Sequence, residues 1–200
     1  MEQKHSQRGH SLLELIVVLA IIGILTHWAC DTLLRAARRV ALRMAAVNLE
    51  QVMQRVRFDA YGNSCMRGLR FSNTVSGWQY AVYEDTDQDG VLNADINSGV
   101  DILVEGPYPL TDRLSLATVG VPQSPVKHPD TGAPFSDGMK AINFNQSSIC
   151  SFSPNGDATP GTIYLVNGNS GEAAMVRSSG AGGQVRAVFY GLHGSGWLQR

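Results

Sequence analysis

The chain has almost no net charge to offer a polyanion. Its 16 Lys and Arg stand against 17 Asp and Glu, leaving −1, so bulk charge calls for no nucleic-acid partner. Catalytic patterning is lacking as well. His128, His193 and the serines and aspartates are scattered, without a nucleophile motif, a metal-ligand spacing or a phosphate loop, which argues against an enzyme. Cysteine is scarce, at three residues, too few for a disulfide scaffold. No internal repeat is present. From Asp31 to about Phe58 there is neither Gly nor Pro, which removes the usual helix breakers from that stretch.

What the chain does have is concentrated at its start. Gly9-His10-Ser11-Leu12-Leu13-Glu14 runs into the unbroken apolar segment Leu15 to Leu25. A carboxylate within a membrane-grade apolar run is costly and marks function. Lys4 and Arg8 precede it in a short polar leader; basic residues there hold the leader in the cytoplasm and place the C-terminal bulk across the membrane. An ordinary secretory signal has an uncharged core and small residues before its cut, and Glu14 spoils that core. His27-Trp28-Ala29 before Cys30 is too bulky for a lipoprotein signal. A plain transmembrane anchor explains the apolar run but not the Gly-x-x-x-x-Glu arrangement. Leu15 to Leu25 is also shorter than the roughly 20 residues a bilayer requires, so Leu12, Leu13 and the Thr26 to Ala29 stretch must lie at the interfaces.

This N-terminal pattern resembles the prepilin signal of the type IV pilin and type II secretion pseudopilin family. The resemblance implies cleavage by a prepilin peptidase after Gly9, methylation of the new N-terminus at His10, and an assembly role for Glu14 opposite the terminal amine of a neighbouring subunit. Gly23 falls where many pilins have a helix glycine. The family usually places Phe where His10 stands, and many members have a proline where Asp31 stands. The partners implied are the peptidase, other major and minor pilins or pseudopilins, the inner-membrane assembly platform and membrane lipid.

The helix continues past the membrane. Leu42, Ala45, Leu49, Val52 and Val56 recur at alternating three- and four-residue steps, one face of a helix, and Gly62-Asn63 supplies residues suited to ending it. Arg35, Arg39 and Arg43, spaced by four, read either as a solvated or lipid-facing stripe or as a subunit contact. Downstream the period becomes two, with strands expected at Leu69–Ser72, Trp78–Tyr83, Ile102–Glu105, Leu114–Val119, Ala141–Asn145, Ile149–Phe152, Thr162–Val166, Ala173–Ser178 and Val185–Tyr190, punctuated by Gly, Pro, Asn and Asp. The expected fold class is α+β: a long N-terminal helix, membrane-embedded in its first half, packed on an antiparallel β-sheet domain. That is also the pilin architecture. The divisions expected are a leader at 1–9, a transmembrane segment at 10–30, a periplasmic amphipathic half-helix at 31–61 and a β-rich domain at 62–200.

Cys30 closes the apolar segment, whereas Cys65 and Cys150 fall in the exported part, an oxidising compartment. They form a disulfide or stand as two separate buried residues. The acidic stretch Asp85-Thr86-Asp87-Gln88-Asp89-Gly90 carries oxygen ligands at alternate positions before a turn glycine, the first half of a calcium loop. Asn93 fits its ninth position. Ile96 stands where a bidentate carboxylate belongs, leaving Asp95 or Asp101 to replace it. Calcium held by Asp85, Asp87, Asp89 and Asn93, and a plain solvated turn, are the two readings.

Phe152-Ser153-Pro154-Asn155-Gly156, Gly161-Thr162-Ile163-Tyr164-Leu165 and Gly183-Gln184-Val185-Arg186 look like the end of the minor pseudopilin H branch, which includes the FimT-type minor pilins. Members of that branch often end with Gly-Arg-x-Arg here, and in some the motif contributes to DNA binding during uptake. Gln184 replaces the first arginine, leaving Arg186, with Arg177 expected on a nearby strand and Arg200 at the chain's end. DNA binding is therefore expected to be weak or absent. The function implied is that of a minor pseudopilin in a type II secretion pseudopilus, with a FimT-like minor type IV pilin, taking part in pilus assembly or DNA uptake, as the alternative.

Overall fold

The computed structural model describes residues 12–110, 116–168, 171–191 and 196–199. The expected leader, with Gly9 and His10, lies outside them, as do Leu114, Ser115 and Arg200. One helix, α1 (Leu12–Asn63), opens the chain. Its residues divide between two compact units, Met1–Ala37 and Arg38–Arg200.

In the first unit α1 is exposed throughout, with the side chains of Leu12, Ile16, Leu19, Ile22 and Leu25 each more than half open. At 1.5 Å per residue, residues 12–37 rise about 39 Å, enough for a hydrocarbon core of roughly 30 Å. The helix is apolar and long enough to cross a membrane. Its hydroxyls are satisfied locally: Thr26 Oγ1 donates to Ile22 O at 2.7 Å and Thr32 Oγ1 to Trp28 O at 3.0 Å, so neither needs a partner in lipid.

In the second unit the same helix is amphipathic. Leu42, Ala46, Leu49, Met53, Val56 and Ala60 are buried. This face is rotated from the expected one: Ala46 and Met53 replace Ala45 and Val52, which are only half-buried at its border. The helix also ends later than expected. Gly62 and Asn63 remain helical, and the left-handed residue is Ser64, with φ of 54°. Asn63 Nδ2 donates back to Asp59 O at 2.8 Å, and Cys65 N–H to Ala60 O at 3.3 Å, which satisfies carbonyls left open by the last turn.

The expected sheet is two sheets. The first has the order β3-β2-β1-β6, built from β1 (Arg67–Thr74), β2 (Gly77–Glu84), β3 (Ile102–Pro109) and β6 (Ile149–Phe152). The second has the order β10-β9-β8-β7-β4, from β4 (Thr118–Val119), β7 (Gly161–Val166), β8 (Ala173–Ser178), β9 (Val185–Tyr190) and β10 (Trp197–Gln199), with β5 (Ile142–Phe144) sharing the β7 edge. All pairings are antiparallel. The expected strands at Ile149, Ala173 and Val185 coincide with β6, β8 and β9; β10 and the short helix α2 (Asn93–Ser98) were not expected.

One core joins α1 to both sheets. Leu69, Phe71 and Val82 from the first sheet meet Ile163, Leu165, Val176 and Phe189 from the second around the buried helix face. Phe71 and Phe144 stack across the sheets with ring centroids 5.8 Å apart. The second sheet is covered on its other face too. Tyr164, Met175 and Val188 alternate with the core-facing residues and pack against Phe135, Met139 and Trp197. Loop residues from 120 to 140 form that cover, tied down where Trp197 Nε1 donates to Lys127 O at 2.6 Å and Tyr190 Oη to Pro125 O at 3.3 Å. Burial on both faces explains why β8 opens with the unbroken apolar run Ala173 to Val176.

Candidate functional site: the N-terminal helix and two surface clusters

Glu14 lies in the first turn of α1 and is exposed. A carboxylate in the first turn of a helix is favoured by the helix dipole, which lessens but does not cancel its cost among Leu13, Leu15 and Val17. The segment therefore combines an outward apolar surface with one acidic group at its N-terminal end, suited to lateral association with similar helices in lipid.

The basic stripe resolves into separate contacts. Arg39 reaches Glu172, its Nη2 and Nε donating to Oε1 at 2.6 and 2.9 Å. Arg43 lies over the Phe189 ring, 5.8 Å from its centroid. Both bind the chain's own β-domain, which neither reading of the stripe foresaw.

Cys65 and Cys150 are free thiols, so the expected disulfide is not formed. Register gives the reason. β1 sets Leu69 opposite Cys150, and Cys65 lies four residues further back, at the corner between α1 and β1. A strand advances about 3.3 Å per residue, whereas a disulfide needs Cα atoms within about 7 Å. Cys150 is fully buried, and burial pushes its thiol far above the usual range.

The acidic loop forms the first cluster. Carboxylate oxygens of Asp85, Asp87 and Asp89 lie within 4.8 Å of one another. Asp85 is buried, and its two oxygens accept from Gln88 N–H at 2.7 Å and Gly90 N–H at 3.0 Å. Gly90 has a φ of 106°, the left-handed turn that favours glycine. Asn93 is the first residue of α2. Asp101, which ends the connection to β3, is 2 % exposed; its Oδ2 accepts from Leu92 N–H at 3.1 Å and its Oδ1 has no partner among the described residues. Burial, and then the nearby charges of Asp85, Asp95 and Asp87, hold its acid above the usual range. Asp89 shifts the same way, through desolvation and the neighbouring Asp87 carboxylate.

The second cluster holds the expected DNA residues. Arg177 on β8 and Arg186 on β9 are direct register partners, so the expected proximity is present. The charge of Arg177 is not free for phosphate. Arg177 is bidentate to Asp130, at 2.8 Å from Nη1 and 2.7 Å from Nη2, and this pairing holds the Asp130 acid below its ordinary range. Arg186 donates to Gln184 Oε1 at 2.8 Å, the residue that stands in place of the missing arginine. Asp130 was not foreseen; it lies 47 residues from Arg177, and no local pattern links the two. Beside this pair an open groove of about 720 Å³ is lined by His128, Asn143, Thr162 and Tyr164. His128 Nδ1 accepts from Asp130 N–H at 3.2 Å, which commits that nitrogen to a structural bond.

Compared with known proteins, residues 4–29 match the prokaryotic N-terminal methylation motif, the prepilin signal of type IV pilin-like proteins. The match covers Gly9, His10, Glu14 and the apolar run. It supports a pilin or pseudopilin origin and implies processing by a prepilin peptidase, membrane anchoring and assembly with other pilins; proteins bearing the motif are structural subunits. No curated protein and no solved structure matches the chain.

Proposed function

We propose that this chain is a minor pseudopilin, a structural subunit of the pseudopilus that a type II secretion system uses to move proteins across the outer membrane. The observation that carries this reading is a methylation motif at residues 4–29 running into an exposed apolar helix with Glu14 in its first turn. The leader is cytoplasmic, α1 crosses the inner membrane once, and the β-domain stands in the periplasm. The peptidase removes residues 1–9 and methylates His10. In the assembled filament the neighbour's terminal amine faces Glu14, and the apolar helices pack side by side in place of lipid. The H-branch likeness at residues 152–186 supports a minor rather than a major subunit.

Mass spectrometry of the protein from a strain with active prepilin peptidase tests the processing step. A mature chain starting at N-methyl-His10 is the expected result, and an intact leader overturns it. Deletion of the gene separates the systems: loss of protein secretion with pilus function intact supports the pseudopilin. Loss of pilus assembly or DNA uptake with secretion intact replaces it with a minor pilin.

A further inference from the structure

The outward face of the second sheet changes character from one register row to the next. Tyr164, Met175 and Val188 are partners across β7, β8 and β9, and this apolar row lies under Phe135, Met139 and Trp197. Two residues along each strand the row is polar. Asn143 on β5, Thr162 on β7, Arg177 on β8 and Arg186 on β9 are successive register partners. The loop that covers the apolar row meets the polar one where Asp130 holds Arg177. The groove of about 720 Å³ opens over Asn143, Thr162 and Arg177.

Hydrogen bonds inside the groove consume acceptors and leave donors. Asn143 Oδ1 accepts from Gln146 N–H at 3.0 Å, so among the described residues its amide hydrogens are left over. Thr162 Oγ1 accepts from Arg177 Nε at 3.4 Å and keeps its hydroxyl hydrogen to give. His128 Nδ1 accepts from Asp130 N–H, which in the neutral ring puts the hydrogen on Nε2. Both Asp130 oxygens are spent on Arg177. That fork cancels one charge of each sign and leaves Lys140, exposed at the groove, as its net charge. Among the described residues no carboxylate pairs with Lys140. Asn145 and Gln146, with φ of 45° and 70° in the turn after β5, add exposed amides able to serve either way.

We propose that this groove docks an extended acidic segment of a partner protein, laid across β5, β7 and β8. A peptide offers a carbonyl acceptor at every residue, which answers the row of donors, and a carboxylate side chain answers Lys140. Neighbouring strands lie about 4.8 Å apart, so Asn143 to Arg177 spans about 10 Å, the length of about three extended residues. Each saccharide hydroxyl is a donor that needs an acceptor, and most of the groove's acceptors are spent. A nucleic acid carries a charge at every phosphate, and one lysine beside a neutralised Arg177 meets few of them. The Asp130–Arg177 fork shows the favoured chemistry within the chain, a loop carboxylate reaching the polar row. The groove belongs to the β-domain alone and serves a pilus or a pseudopilus subunit alike.

Calorimetric titration of the full-length chain in detergent tests the groove with a capped tetrapeptide of alternating alanine and glutamate. The comparison ligands are the alanine–lysine tetrapeptide, a short oligogalacturonate and a single-stranded oligonucleotide. The glutamate peptide should bind with a Kd below about 1 mM, and the lysine peptide should not bind. Lys140→Gln should weaken binding at least about tenfold, the loss expected of a hydrogen bond to a charged group. Asn143→Asp keeps the acceptor for Gln146 N–H while replacing amide donors with a negative charge, and should weaken it by at least about tenfold too. Thr162→Val leaves the charge unaltered and should weaken it about two- to tenfold. Lys140 and Asn143 are exposed, so their variants should melt within about 2 °C of the parent. Asp130→Asn, which releases Arg177, should tighten binding. No saturable binding by about 5 mM glutamate peptide, or unchanged affinity in both Lys140→Gln and Asn143→Asp, overturns the docking site. Tighter binding of the oligogalacturonate or the oligonucleotide than of the glutamate peptide overturns the assignment to a peptide.

Discussion

Truncating Met53 to alanine should unfold this domain far more readily than truncating its neighbour Val52. Met53 is fully buried where α1 meets both sheets, whereas Val52 is half-buried at the border of that face. Removing a buried methionine side chain costs about 2–5 kcal/mol, from lost transfer energy and the cavity left behind. Half-burial of a valine limits its truncation to about 1 kcal/mol. For a domain of this size 1 kcal/mol shifts the melting temperature by roughly 2–4 °C, so Met53→Ala should lower it by about 4–20 °C and Val52→Ala by about 2–4 °C. Near-ultraviolet circular dichroism of each full-length variant in detergent reads the packing of the β-domain. Alternating three- and four-residue steps in the sequence name Val52 as the core residue, and the structure names Met53. A Val52→Ala variant that loses as much as Met53→Ala, or more, would refute the rotated face.

Glu14→Leu should insert well, since a carboxylate at the helix centre costs about 2.5–3.5 kcal/mol on insertion scales, yet fail to enter filaments; normal incorporation, seen by immunogold labelling, removes the assembly role. Thiol titration of the native chain should label Cys65, which is half-buried, and leave Cys150 unreacted until denaturant is added; no free thiol at either position after denaturation would show a bond the fold does not make. Gel shifts at physiological salt should show weak DNA binding or none. Asp130→Asn, which releases Arg177, and Gln184→Arg should each strengthen it and steepen the salt dependence by about one phosphate contact. Tight binding by the unmodified chain would contradict the neutralised Arg177.

Much of the architecture is legible because it rests on local periodicity. β6, β8 and β9 are mostly apolar, with Arg177 and Arg186 as the charged exceptions, and each is followed by Ser or Gly, so their limits can be read directly. The helix can be read as well, up to a rotation: Ala45 and Ala46 are both alanine, and Val52 and Met53 are both apolar, so the pattern alone does not choose between adjacent faces. The helix end is misplaced for a related reason. Gly62 and Asn63 tolerate a left-handed backbone, but Ser64 adopts it, because Asn63 instead satisfies Asp59 O with its side chain. The division into two sheets has no sequence signal, since strands of either sheet look alike until they pair.

The surface clusters show where local reading stops. Arg177 and Arg186 read as a basic patch because both are cations on neighbouring strands, and the register indeed pairs them. Their chemistry is set by Asp130, from a loop that folds over the second sheet and holds Arg177 in a two-point fork. A bidentate guanidinium fixed in this way has its donors directed at a carboxylate and is a poor phosphate ligand until that carboxylate is removed. The acidic loop is the reverse case. Three of its carboxylates follow a pattern within five residues, but the buried Asp101 sits sixteen residues after Asp85, beyond a short helix that the composition does not announce. The same tertiary folding that supplies a counter-charge to Arg177 withholds one from Asp101. Neutralising Asp130 therefore exposes a cation, while neutralising Asp101 relieves a buried anion, and the two variants should move the melting temperature in opposite directions.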